Sequence, residues 1–147
     1  MKLLLSLTLI LLQICCADAG ASGSNDWYLG KWKVIDASFP GISAMDMDEA
    51  RTWFGSVAVY TNKVVSFREE VCVSPSYKIN NLSEGEFYTD YKVTFKQLDI
   101  EAKSVDVLEV GCPENWTAAG SALIKADGRS GYLLWDGVFF RVNKIAP

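Results

Sequence analysis

Short apolar stretches, each bounded by a tight-turn signal, constrain this chain more than any other feature of it. Asp127-Gly128 and Asp136-Gly137 each stand between apolar runs, the pattern of a β-hairpin. Thr61-Asn62-Lys63 makes a similar short turn. Strand patterns cover residues 31–38, 56–61, 64–69, 71–79, 104–112, 120–126, 132–135 and 138–143. Within 56–61 the alternation is explicit, with Val57 and Val59 on one face and Ala58 and Tyr60 on the other. Eight strands joined by hairpins favour a mostly β protein built on an antiparallel sheet. Closure into an up-and-down barrel would remove the exposed edges that an open meander must otherwise protect.

Two helical interruptions are legible. Residues 46–54 have acids in the first turn, Met47, Ala50 and Trp53 at helical spacing, and Gly55 as a stop. Those acids read as helix-dipole partners and not as a catalytic pair. The second helix begins at Ser83, which forms a capping box with Glu86 while Leu82 and Phe87 take the positions of a hydrophobic staple. Phe87, Tyr91 and Phe95 are four apart and would extend the helix. Residues 92–96 nevertheless alternate like a strand, so this stretch is open to both readings, and the second adds a ninth strand.

The first residues read as an export signal. Met1-Lys2 gives a short positive start, Leu3 to Ile14 is almost wholly apolar, and Ala17-Asp18-Ala19 offers small residues for cleavage before Gly20. An apolar run of about a dozen residues is too short to cross a ~30 Å hydrocarbon core. Cys15 and Cys16 raise a lipid-attachment site, but Gln13 and Ile14 are poorly suited to precede one. The expected organisation is a signal peptide over 1–19, a flexible leader over 20–25 and a single β-barrel domain over 26–147, secreted or periplasmic.

Beyond the signal peptide only Cys72 and Cys112 remain. An even pair in an exported protein is most simply a disulfide. Closing a loop of about 40 residues stabilises by roughly 4 kcal/mol on the chain-entropy model. Two free thiols are the alternative, and neither cysteine has a neighbouring metal ligand in sequence. The chain has no histidine, which removes the commonest general base and metal ligand and excludes Ser–His and Cys–His nucleophiles. No catalytic residue, metal or cofactor is therefore expected. A net charge of −4 without a basic cluster argues against nucleic acid and anionic membrane surfaces as partners.

At Gly30-Lys31-Trp32 the sequence resembles the lipocalins, a calycin-type family with a Gly-x-Trp at the start of its first strand. The resemblance implies an eight-stranded barrel, with residues 39–55 as the long connection over its mouth. It also implies that Arg141, late in the last strand, packs across Trp32. That pair would have a structural role, a cation–π contact worth ~0.5–2 kcal/mol at the closed end of the barrel.

Aromatic residues on the strands are the candidate ligand-binding set: Tyr60, Phe67, Tyr77, Trp135 and Phe140. A small barrel either holds one apolar molecule or fills with its own side chains, so core packing stands beside ligand binding for each of them. Glu109 would be a buried polar anchor if it pointed inward, but the Val107-Leu108 doublet suggests a bulge that returns it to solvent. Asn81-Leu82-Ser83 and Asn115-Trp116-Thr117 match the glycosylation sequon. The leading expectation is a non-enzymatic binding protein holding a small apolar or amphipathic ligand in the barrel. The alternative is a protein–protein module, such as an inhibitor of a secreted hydrolase.

Overall fold

The computed structural model describes residues 26–114 and 116–146. The signal peptide and leader of the sequence reading lie outside the described residues. Among those described, nine strands form one antiparallel sheet: β1 Gly30–Ser38, β2 Val57–Tyr60, β3 Val64–Phe67, β4 Glu70–Val73, β5 Ser76–Ser83, β6 Ser104–Gly111, β7 Ala122–Lys125, β8 Ser130–Trp135 and β9 Val138–Ile145. Their order is β4-β3-β2-β1-β9-β8-β7-β6-β5, so every neighbour but the β1–β9 pair is also a neighbour in sequence. The sheet curls strongly into an open half-barrel. It is not the closed eight-stranded barrel of the sequence reading.

The difference has a local cause. Residues 71–79 read as one strand, but Ser74 takes a left-handed φ of 56° and Pro75 has no N–H to give a ladder. The chain turns a corner there, and the two pieces become β4 and β5, the opposite edges of the sheet. No ladder joins them. Instead the Cys72–Cys112 disulfide, with Cα atoms 5.9 Å apart, ties β4 to the residue just beyond β6.

The helical segments follow their caps. Asp46 accepts from the Glu49 N–H to start α1, Met47–Arg51, and Gly55 at φ 87° ends the turns that follow. Ala50 is buried, but Met47 is 38% exposed, because the helix is only five residues long. Helix α2, Glu84–Tyr91, carries the full Ser83–Glu86 capping box. It stops at Lys92, which is left-handed, and a second capping box between Thr94 and Gln97 opens a 3₁₀ turn over Phe95–Leu98. Residues 92–96 are thus neither a continued helix nor a strand.

Apolar side chains gather on both faces of the sheet. The inner cluster centres on Trp32, Val34, Tyr60, Leu108, Leu133 and Phe140. The outer one joins Phe87, Phe95 and Leu98 to Val107, Ile124 and Phe139. β6 runs directly opposite β5 with no register shift, so Val107 and Leu108 serve opposite faces without a bulge. Glu109 is exposed, 3.6 Å from Lys78, as the solvated reading expected but for this different reason. The bulge is in β1, at Ile35, between Val34 and Asp36.

The first and last strands do pair, but Trp32 does not meet Arg141. In register Trp32 faces Lys144, whose Nζ lies 5.5 Å from the indole centroid, while Arg141 faces Asp36. Positions 141 and 144 differ by an odd number and so point to opposite sheet faces. Trp32 is fully buried inside the curl, and its Nε1 donates to the Tyr28 carbonyl at 2.7 Å.

Candidate functional site

The interior of the curl is built from its own side chains. Tyr60 and Phe140 are fully buried and Phe67 is 2% exposed. The Tyr60 hydroxyl donates to the Gly120 carbonyl at 3.0 Å. A Cβ at Gly120 would sit 3.3 Å from side-chain atoms of Phe67 and Trp116, so this segment packs tightly against them. Burial and the nearby Tyr77 both keep the Tyr60 phenol protonated far above the ordinary range. Phe140 stacks on Trp53 at 4.6 Å with the rings 6° from parallel. Tyr77 packs against the same inner cluster away from the recess, 4.6 Å from Tyr28, with its hydroxyl donating to the Thr61 carbonyl.

A recess of about 250 Å³ opens where the β3–β4 and β8–β9 hairpins lie together. Phe67 and Trp135 line it, with Trp53 from the segment after α1. Asp136 and Gly137, at φ 50° and 82°, make the reversing turn that sets Trp135 at the end of β8. Arg68, left-handed at φ 55°, folds its guanidinium over Trp53, 4.7 Å from the ring centroid. Trp53 is therefore held between Phe140 on one face and Arg68 on the other. Thr117, Ala118, Ala119, Glu69 and Glu70 complete its lining.

Of the five aromatic candidates, then, Phe67 and Trp135 meet at one opening, Tyr60 and Phe140 pack behind it, and Tyr77 lies apart. The sequence reading placed Trp53 only as a helix-packing residue and Thr117 only in a glycosylation sequon, and gave Arg68 no part in a site. No signal in the local pattern marks them, because they are brought to the recess by the turns that precede and follow β2, β3 and β6. No group of metal-binding side chains occurs among the described residues. Chemically the recess offers three aromatic side chains, one guanidinium, one threonine hydroxyl and two carboxylates.

Comparison with known protein families, curated proteins and solved structures finds no match to this chain.

Proposed function

We propose that this is a non-enzymatic binding protein of an oxidising compartment, and that its small amphipathic ligand sits in the recess beside Trp135 and not in the centre of the curl. The Cys72–Cys112 disulfide is the kind of bond such a compartment sustains. The carrying observation is the convergence of Phe67, Trp135 and Trp53 on one opening with Arg68 and Thr117 at its polar side. The centre is a poorer host, since Trp32, Tyr60 and Phe140 already fill it. At about 250 Å³ the recess is below the ~300–1,000 Å³ of drug-sized sites, so the ligand is a small molecule with one apolar face and one polar group. The lipocalin-like kinship implied by Gly30-Lys31-Trp32 belongs to the same proposal.

Native mass spectrometry of protein purified from its source, followed by tryptophan-quench titration of the retained molecule, tests the reading. Trp135→Ala should weaken binding about tenfold, roughly 1.4 kcal/mol, with little change in melting temperature because Trp135 is only half-buried. Binding that Trp135→Ala leaves untouched would place the ligand elsewhere.

A further inference from the structure

Beside the recess, with which it shares Glu70, we propose that the free edge of β4 binds an extended, basic segment of a partner protein by strand addition. β4 has a single neighbour, β3, and makes no main-chain hydrogen bond on its other side among the described residues. Its Cys72 points into the core and is fully buried, whereas Val71 and Val73 are 55% and 63% exposed. A soluble protein ordinarily blunts such an edge with lysine, proline or a covering loop. Here the edge presents two exposed valines, and a groove of about 280 Å³ runs between them and the segment after β6, from which Pro113 also lines it.

The lining of the groove selects the occupant. Its charged side chains are Glu70 and Glu114, and no lysine or arginine lines it among the described residues. Val71, Val73 and Trp116 supply the apolar surface. The Trp116 Nε1 is buried and has no acceptor among the described residues. An extended peptide alternates its side chains between two faces, so lysine or arginine can answer the carboxylates while small apolar residues meet the valines. Main-chain pairing with the edge would supply affinity, and the groove would supply specificity. A second copy of this chain is a poor occupant. It would bring the same carboxylates to the groove.

The test uses two synthetic hexapeptides, one alternating lysine with valine and the other glutamate with valine. Binding is followed by fluorescence anisotropy and by amide hydrogen exchange of the disulfide-intact protein. The lysine peptide should bind, the glutamate peptide should not, and protection should rise at residues 70–73. Glu70→Lys combined with Glu114→Lys should weaken the lysine peptide at least tenfold and favour the glutamate peptide. Both positions are exposed, so the melting temperature should hold. Four results would overturn the proposal: equal binding of the two peptides, no binding at millimolar peptide, protection confined to the recess at Trp135, or protection of β4 that grows with protein concentration alone. The last would assign the edge to a second copy.

Discussion

The two ends of the sheet order are built differently. Strands β1 to β4 turn one face to the inner cluster and leave the other largely to solvent, with Ile35, Val71 and Val73 exposed there. Strands β6 to β9 are covered on both faces, because α2 and the 3₁₀ turn lay Phe87, Phe95 and Leu98 against Val107, Ile124 and Phe139. The Tyr132 hydroxyl pins that cover by donating to the Leu98 carbonyl at 2.6 Å. A one-sided strand needs only alternation, as in Lys31-Trp32-Lys33-Val34 of β1, whereas a strand buried on both faces reads as a longer apolar run, as in Tyr132-Leu133-Leu134-Trp135 of β8. The helical insertion is thus a second core in its own right, and the single-covered half depends more on the disulfide.

Removing the disulfide with Cys72→Ala and Cys112→Ala should have the largest effect, about 4 kcal/mol by denaturant unfolding. If the halves differ as described, hydrogen exchange should accelerate first in β3 and β4 and last in β7 and β8. Simultaneous loss everywhere would erase the distinction. Phe87→Ala strikes the other half and should cost about 3 kcal/mol, since Phe87 is fully buried between Tyr91 and Phe95. It should loosen α2 while the fluorescence of Trp53 and Trp135 stays unchanged.

Tyr60→Phe should cost about 1–2 kcal/mol, because it leaves the buried Gly120 carbonyl unpaired. The same region is alkali-sensitive. Burial is the main cause that pushes Tyr77 up to about 12, with Tyr28 adding to it, and burial also raises Tyr60. Raised phenols favour the folded state fully below their ordinary value of 10.0, and that contribution is lost as pH climbs from 10 toward 12. Phenolate absorbance should therefore appear late and together with unfolding. Ser83→Ala should have the smallest effect, about 1 kcal/mol, confined to α2. The Ser83 hydroxyl and N–H hold the Glu86 carboxyl below its ordinary 4.5, so the helix start should weaken as pH falls below that value.

Much of this architecture is written locally. The hairpin at Asp136-Gly137, the box at Ser83 and the stop at Gly55 each need only a few adjacent residues, and all three stand where the sequence puts them. The corner at Ser74-Pro75 was available too, since proline inside a strand argues against continuity, and Thr94 with Gln97 carried the box that ends the ambiguity at 92–96. The bulge at Ile35 leaves no such mark, and without it the register between β1 and β9 cannot be counted from either end. The expectation that Arg141 packs on Trp32 came from the family resemblance, and the register puts Lys144 there instead. Phe67 and Trp135 were legible as strand aromatics. The walls at Arg68 and Thr117 depend on tertiary placement, which no local pattern carries.

The pairing of Lys31 with Ile145 in the β1–β9 ladder brings the start of the first strand beside the end of the last. The sheet is open at β4 and β5, and the break in its sequence order falls in its middle, between β9 and β1. Traced instead from Pro75 through Ile145, across to Gly30 and on to Ser74, the same nine strands would follow one another in plain spatial order. A circular permutant opened at that corner would replace the most distant ladder with a hairpin, and contact order would fall. Its folding should then be faster than that of the natural order, in which β1 must wait for a partner more than a hundred residues away.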